Sequence, residues 1–407
     1  MTQKRGGWSN FASRIISRAN IGIVLVMSGL FILAGSQAFA EGNTIKIGII
    51  AEMTGTFADH GQEMMNGIKT YMMEHGDTVA GKKIELVIKD TGGPNPDVAK
   101  RLAQELVVKD KVDFLAGFGL TPNAMAVAPI ATQAKKPVII MNAATSVITT
   151  KSPYIARVSF TLAQVTAPMA EWAYKHGIRK VYTVVGDYGP GHDSEAAFKK
   201  TFTKLGGTVV GELRVPMKNV EFGPYIQRVK DAKPEAMFVF VTSGELGLGI
   251  MKAYNERGLK QAGIKLITTG DVLDDAIMDA LGDSPLGVVS THHYSADHKS
   301  PENAKFVADY KKVDSKLRPN FKAVHAYDGM ALIYAVATQL KGDVSNGDKV
   351  MQVIKGMKLN SPRGPIEIDP ATRDIVQNVY VREAKKVGGK VYNVEFDTFK
   401  AVKDPGK

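Results

Sequence analysis

The chain alternates between two patterns of apolar and polar residues. Short apolar runs, typical of buried strands, precede stretches in which apolar residues recur every three or four positions, as on one helix face. The first cycle contains a strand at residues 45–50, a helix with Met64, Ile68 and Met72 on one face, and a strand at residues 84–88. This alternation predicts an α/β fold with helices on both faces of a parallel sheet.

The same alternation continues and then restarts, which predicts a second sheet. Strands at residues 112–115 and 138–141 extend the first sheet, and residues 94–97 carry a turn and helix N-cap signal. The second set comprises helices at residues 162–176, 193–205 and 245–257 and strands at residues 181–185, 208–213, 237–241 and 264–268. A chain of 407 residues with 44% hydrophobic content can bury two cores, so we predict two lobes.

The pattern changes beyond Gly287. A strand at residues 288–292 is followed by a helix near residues 301–317 and by an amphipathic helix around Met330 and Ile333. Because these helices have no strands of their own, we expect them to cover the first sheet. Three later segments predict a closing antiparallel ribbon with a turn at Val387-Gly388-Gly389, namely residues 364–368, 376–382 and 390–396.

Residues 137–146 run from four apolar residues directly into a small, polar turn. This pattern is typical of a buried parallel strand that ends at a binding cleft. Ala143 and Ala144 leave the backbone unobstructed, and Thr145 adds a hydroxyl, so the 143–145 loop could hold a carboxylate. An ordinary strand-to-loop transition is the alternative.

The first 40 residues differ from the rest of the chain. They contain Lys4, Arg5, Arg14 and Arg18 but no acid, and without them the formal net charge falls from +11 to +7. A basic start, an apolar run at residues 21–34 and Ala38-Phe39-Ala40 before Glu41 predict a cleaved secretory signal peptide at residues 1–40. An uncleaved anchor is the alternative, although ~14 apolar residues fall short of the ~20 that span a bilayer.

The sequence lacks the residues that several classes of enzyme and cofactor site need. The chain has no cysteine, no Gly-x-Ser-x-Gly elbow and no glycine-rich stretch with phosphate-binding spacing, so we predict no catalytic residue and no cofactor. His292, His293 and His298 cluster, but adjacent strand residues point to opposite faces, so we predict no metal site. The basic residues form no long run, which argues against nucleic-acid binding.

Nine residues lie just after predicted strands or at the start of the following helix. Because loops after parallel strands meet at one edge of a sheet, we expect them to line a common ligand site. Each residue taken alone could equally be a cap or a turn. The candidate ligand-binding residues are Phe57, His60, Thr121, Ala143, Ala144, Thr145, Tyr188, Ser243 and Asp271.

The order and the sequences of these segments resemble those of the type I periplasmic binding proteins of the branched-chain amino acid (leucine/isoleucine/valine-binding) family of ABC importers. The resemblance extends from about Ile45 to the C-terminus. The motifs that carry it are Ile47-Gly48 with Met53-Thr54-Gly55 and Gly61, Asn142-Ala143-Ala144-Thr145, Asp187-Tyr188-Gly189, Gly270-Asp271 and Arg363-Gly364-Pro365-Ile366.

The resemblance implies two Rossmann-like lobes with parallel central sheets, joined by a three-strand hinge near residues 159–161, 290–294 and 366–370. Lobe one would comprise residues 41–160 and 291–366, and lobe two residues 161–290 and 367–407. It also implies that the 143–145 loop and Thr121 bind a ligand carboxylate, while Tyr188 and Asp271 face an α-ammonium group.

Two departures from the family bear on the ligand. His60 stands where amino acid binders often have a tyrosine, and Ser243 where they often have an aromatic residue. The carboxylate half of the site is therefore expected, whereas the amino acid half is open. A branched-chain-type amino acid is the first expectation, and an aromatic or other organic acid is the second.

The resemblance implies a monomeric periplasmic receptor that is not an enzyme. It would deliver a small carboxylate to an inner-membrane ABC permease with ATPase subunits. Two alternatives from other classes are a periplasmic ligand sensor for a signalling partner and a secreted α/β hydrolase.

Overall fold

The computed structural model describes residues 42–406. The predicted signal peptide, residues 1–40, lies outside the described residues. From Ile45 onward the described chain forms one compact unit. Within residues 42–406, no helix is both long and apolar enough to cross a bilayer.

Helices and strands alternate along most of this region. The α-helices are α1 (Ala58–His75), α2 (Pro96–Val108), α3 (Thr121–Ala134), α4 (Leu162–Lys175), α5 (Gly189–Lys204), α6 (Phe222–Ala232), α7 (Glu245–Glu256), α8 (Met278–Leu281), α9 (Pro301–Val313), α10 (Phe321–Gln339) and α11 (Gly347–Ile354). The strands are β1 (Thr44–Ala51), β2 (Thr78–Val79), β3 (Lys82–Asp90), β4 (Phe114–Gly117), β5 (Val138–Ile140), β6 (Ile155–Arg157), β7 (Lys180–Gly186), β8 (Thr208–Val215), β9 (Ala236–Phe240), β10 (Lys265–Thr269), β11 (Val289–His292), β12 (Lys358–Ser361), β13 (Gly364–Ile368), β14 (Ile375–Val387) and β15 (Lys390–Val402).

The first sheet has six strands in the order β2-β3-β1-β4-β5-β6. Strands β1, β4, β5 and β6 pair in parallel, with Ile47 opposite Phe114 and Val138 opposite Ile155. These four residues are fully buried. Burial on both faces explains the continuous apolar runs in the sequence.

The second sheet has nine strands and is mixed. Its path is β12-β13-β14-β11-β10-β9-β7-β8, and β15 pairs with β14. The stretch from β11 to β8 is parallel, whereas β12 to β15 add antiparallel pairs. The predicted ribbon is confirmed: Val387 pairs with Lys390, and Gly388 and Gly389 take positive φ angles of 57° and 84°, which suit a two-residue hairpin turn.

Helix α10 returns to the first sheet, as its apolar pattern predicts. Met330 and Ile333 are fully buried in the core of that sheet. Near its start, α10 approaches α1 so closely that a Cβ on Gly67 would lie 2.0 Å from the carbonyl oxygen of Ala323. Glycine is therefore required at this contact, which fixes the position of the residues at the start of α10.

Several local details differ from the sequence-based predictions. Helix α5 begins at Gly189, four residues before the predicted start, because Pro190 sits in its first turn, where a missing N–H costs nothing. Asn95 precedes α2 without capping it, since its side-chain amide donates to the carbonyl of Thr91 at 2.7 Å. The short strands β2 and β12 and the helices α3, α6, α8 and α11 were not predicted individually.

Candidate functional site

The carboxyl ends of parallel strands from both sheets converge on one cavity. Its free volume is about 20 Å³, enough for about one water molecule, so a larger ligand requires the walls to move apart. Residues that follow β4, β5, β7, β9 and β10 line it, together with the starts of α4 and α10. The lining residues are His60, Gly119, Leu120, Thr121, Asn142, Ala144, Phe160, Leu162, Tyr188, Pro190, Phe240, Thr242, Ser243, Asp271, Phe321 and Lys322.

Six of the nine predicted residues line this cavity. They are His60, Thr121, Ala144, Tyr188, Ser243 and Asp271. The other three lie directly behind the wall. The Phe57 ring packs against the His60 ring, with the two ring centroids 5.5 Å apart. Ala143 and Thr145 flank Ala144 in the 143–145 loop.

Thr121 and Ala144 of the wall, together with Thr145 directly behind it, form what we call the hydroxyl cluster, which comprises the two threonine hydroxyls and the backbone N–H groups of Ala144 and Thr145. The two threonine hydroxyls are 3.1 Å apart. Neither N–H group makes a hydrogen bond to another described residue. The Ala143 N–H is not available, because it donates to the carbonyl of Phe118 at 2.9 Å.

Two helices begin at the hydroxyl cluster. Thr121 is the first residue of α3, and Gly189, at the start of α5, approaches Thr145 so closely that a Cβ there would lie 2.7 Å from Thr145 Oγ1. The first N–H groups of a helix have no intrahelical partner and carry partial positive charge. Hydroxyl and N–H donors beside two helix N-termini favour a bound anion.

A second part of the wall, the acidic cluster, consists of Asp271 and Lys322 with Glu63 and Asp274. Lys322 Nζ donates to Glu63 Oε2 at 2.7 Å and to Asp274 Oδ2 at 2.6 Å. Burial opposes its charge, but the neighbouring Asp274 and Glu63 raise the pKa of Lys322 above its ordinary value. Two carboxyl groups thus pair with one buried ammonium, and Lys322 is satisfied by protein partners.

Asp271 is the member of this cluster that still has a hydrogen-bond acceptor available to a ligand. Burial raises its pKa from 3.8 to about 7, although a hydrogen bond from Thr269 Oγ1 to Asp271 Oδ2 at 3.0 Å partly offsets that rise. His292 Nε2 lies 3.8 Å from the same oxygen. Asp271 Oδ1 makes no hydrogen bond to a described residue, so it can accept one from a ligand.

His60 and Ser243 face each other across the cavity wall. His60 Nε2 lies 3.5 Å from Ser243 Oγ, and His60 Nδ1 is buried with no hydrogen-bond partner in the described chain. Burial lowers the pKa of His60 well below its ordinary value, so the ring is neutral near pH 7. A neutral imidazole and a hydroxyl recognise an uncharged polar group better than a second anion.

Aromatic side chains form the remaining walls. Phe160, Phe240 and Phe321 are almost completely buried, and the Tyr188 ring stacks on Phe240 at 6.1 Å with an interplanar angle of 17°. Burial raises the pKa of Tyr188 well above its ordinary value, so its hydroxyl stays protonated. These walls suit a flat, apolar ligand body.

Sequence reasoning missed Lys322 and the three phenylalanines. Phe321 and Lys322 follow Asn320, whose side chain accepts a hydrogen bond from Ala323 N–H and caps α10. This cap was a readable signal for the start of the helix. That the helix starts at the cavity could not be read, because it depends on contacts between α10 and distant residues.

The histidines considered as metal ligands have other contacts. His293 and His325 are 2.5 Å apart through their Nε2 atoms, and His298 Nδ1 lies 2.8 Å from Glu395 Oε2. In the part of the chain that the structure describes, no group of three or more His, Cys, Asp or Glu side chains could hold a metal ion.

Comparison with known proteins identifies similar sequences and structures. Residues 44–390 match a family model described as a periplasmic binding protein. The Leu/Ile/Val-binding protein homolog 6 of Brucella melitensis is 46% identical over 386 residues, which cover 94% of this chain and 98% of that protein.

Two solved structures from Rhodopseudomonas palustris are also similar. The solute-binding protein of an ABC transporter from strain BisB5, in complex with 3,4-dihydroxybenzoic acid, is 54% identical with a TM-score of 0.87, covering 89% of this chain and 99% of that chain. A solute-binding protein from strain HaA2, in complex with p-hydroxybenzoic acid, is 48% identical with a TM-score of 0.86 and the same coverage.

Proposed function

Because this chain belongs to the periplasmic binding protein family, we propose that its cavity captures a hydroxylated benzoate for an ABC importer. The ligand carboxylate binds the hydroxyl cluster, and the ring lies between the aromatic walls. The ring hydroxyl donates to Asp271 in the acidic cluster. We therefore expect an aromatic acid, rather than an amino acid, as the ligand.

The observation that carries this proposal is the presence of two unlike polar clusters in one small, aromatic-walled cavity. No hydrogen bond joins the hydroxyl cluster to the acidic cluster among the described residues. A hydroxybenzoate carries its carboxylate and its hydroxyl on different ring carbons, whereas an α-amino acid carries both charged groups on one carbon. A hydroxybenzoate can therefore reach two separate clusters with its two polar groups more easily than an α-amino acid can.

Electrostatics sets the orientation of such a ligand. Glu63, Asp271 and Asp274 disfavour a carboxylate in the acidic cluster, and Lys322 is already paired with two of them. The helix N-termini at Thr121 and Gly189 favour a carboxylate in the hydroxyl cluster. The two solved relatives, whose structures contain hydroxylated benzoic acids, support the same ligand class.

We further propose that the receptor closes on its ligand as two hinged lobes, with the boundaries predicted from the sequence. Lys322 contacts Glu63 and Asp274. Glu63 lies on α1, which packs on the first sheet, and Asp274 follows β10 of the second sheet, so this side chain connects the two halves. Ligand contacts from both sides would favour the closed form. The receptor is periplasmic and monomeric, and it delivers the unchanged ligand to a permease with ATPase subunits.

A ligand screen by calorimetry tests the proposal. Protein beginning at Glu41 should bind 4-hydroxybenzoate with micromolar or tighter affinity, and benzoate more weakly, because benzoate leaves Asp271 without a donor. Terephthalate and leucine should not bind detectably at the same concentrations. Recovery of 4-hydroxybenzoate unchanged after prolonged incubation would agree with a receptor that is not an enzyme.

Two results would contradict the proposal. Leucine binding tighter than 4-hydroxybenzoate would restore the amino acid as ligand. Equal affinity for 4-hydroxybenzoate and terephthalate would refute the orientation, because a second carboxylate would then be tolerated in the acidic cluster.

A further inference from the structure

Arg157, the last residue of β6, lies directly behind the 143–145 loop. Its side chain is fully buried and is absent from the cavity wall. Arg157 Nη1 donates to the carbonyl of Ala143 at 3.0 Å, and Arg157 Nη2 donates to the carbonyl of Thr145 at 2.8 Å. One guanidinium group therefore holds two carbonyl groups of the loop.

These hydrogen bonds determine where the loop N–H groups point. A trans peptide directs its C=O and the following N–H to opposite sides. Because the Ala143 carbonyl turns toward Arg157, the Ala144 N–H turns away from it, and Ala144 lines the cavity. The Ala144 carbonyl in turn accepts from the Leu162 N–H at 3.1 Å, which orients the Thr145 N–H.

Arg157 itself is held rigidly. Its Nε atom lies 2.6 Å from Asp374 Oδ1, and the other Asp374 oxygen accepts from Thr149 Oγ1 at 3.0 Å. Arg157 Nη1 also donates to the carbonyl of Phe160 at 3.2 Å, so the same side chain ties the loop to the aromatic wall. A planar guanidinium can make all these contacts at once, whereas a lysine ammonium cannot.

We propose that Arg157 is a positioning residue that preorganises the 143–145 loop to bind a ligand carboxylate. This inference rests on the proposed function, in which that loop holds the carboxylate. Arg157 does not touch the ligand. It orients the Ala144 N–H before the ligand arrives, so the ligand need not order the loop.

The test compares Arg157→Lys with a matched control, Arg363→Lys. Arg363 is also fully buried, pairs with Asp328 at 2.8 Å, and donates to the Ser159 carbonyl at 3.0 Å, but it makes no hydrogen bond to the loop. Each protein is titrated by calorimetry with 4-hydroxybenzoate and with its neutral analogue 4-hydroxybenzamide, and each Tm is recorded.

Arg157→Lys should weaken 4-hydroxybenzoate binding roughly 10- to 100-fold, while the affinity for the amide falls less than about threefold. Arg363→Lys should lower the Tm without changing the ratio of the affinities for the two ligands. Equal loss for both ligands in Arg157→Lys would overturn the inference, because it would indicate general damage. Unchanged acid affinity would also overturn it, whereas failure of the unmodified protein to bind the acid would refute the proposed function itself.

If Arg157→Lys does not fold, a measurement on the unmodified protein decides. The Ala144 amide proton should shift downfield in NMR spectra when 4-hydroxybenzoate is added and should move much less with the amide. An Ala144 resonance that the acid does not move would overturn the inference.

Discussion

Asp271→Asn separates the two ligand classes most sharply. The substitution keeps the size of the side chain and an oxygen acceptor but removes the negative charge. Asp271 is 6% exposed, and its Oδ1 has no hydrogen bond to a described residue, so a ligand donor would meet it directly. The affinity lost on substitution therefore reports what that donor is.

The expected magnitudes for the two classes differ in their central values. A phenolic hydroxyl exchanges a charged acceptor, worth ~1.5–3 kcal/mol, for a neutral one, worth ~0.5–1.5 kcal/mol, so the loss is at most ~2.5 kcal/mol and centres near ~1.2 kcal/mol, which is roughly eightfold. An ammonium left facing a neutral amide in a buried site loses about 2–5 kcal/mol, which is roughly 30- to 5,000-fold.

The pH dependence adds a second readout. Burial raises the pKa of Asp271 from 3.8 to about 7, so the folded protein binds more protons than the unfolded chain between these values. This carboxyl therefore destabilises the ligand-free protein increasingly as the pH rises through that window. Asp271→Asn should increase the Tm of the free protein, and the gain should grow from pH 4 to pH 7.

Calorimetric titration with 4-hydroxybenzoate from pH 6 to pH 8 completes the assay. A ligand hydroxyl prefers the ionised form of Asp271, so wild-type affinity should rise over this range, while that of Asp271→Asn stays flat. A loss of more than about 100-fold, or the same pH profile in both proteins, would refute the assignment of Asp271 as acceptor for a ring hydroxyl.

Three further outcomes are expected. Thr145→Val removes the hydroxyl that faces Thr121 and should weaken 4-hydroxybenzoate binding roughly 10- to 150-fold by calorimetry; unchanged affinity would remove this hydroxyl from the site. Gly67→Ala forces a Cβ against the Ala323 carbonyl and should lower stability to urea by ~1–3 kcal/mol, and an unchanged midpoint would show that α1 and α10 can separate. N-terminal sequencing of the exported protein should begin near Glu41, whereas an intact N-terminus in the membrane fraction would contradict cleavage.

The parts of the site that follow strands could be predicted from the sequence. Thr121, Ala144 and Asp271 each come shortly after an apolar run, and the carboxyl ends of parallel strands meet at one edge. The same local logic located the hairpin turn at Gly388 and Gly389. In each case the sequence signal and the structural feature lie within a few residues of each other.

Features set by distant contacts could not be predicted in this way. Lys322 looks like an exposed helical lysine, but its side chain is 1% exposed because Glu63 and Asp274 surround it. Arg157 looks like a strand-end residue, although its hydrogen bonds shape the 143–145 loop. Both roles depend on partners far away in the sequence, and no local pattern encodes them.

Under the proposed function, the buried charges of the acidic cluster allow the cavity to discriminate between acids. Removing two carboxylates and an ammonium from water is costly, so such a group is a poor source of stability compared with an apolar core. Its effect on a ligand is directional: Lys322 pairs with Glu63 and Asp274, which leaves Asp271 as the carboxyl group on the wall that has no ion-pair partner among them. We therefore propose that an acid enters with its carboxylate toward the hydroxyl cluster. In this proposal, the buried ion pairs of Lys322 cost stability but leave Asp271 as the group that selects among acids.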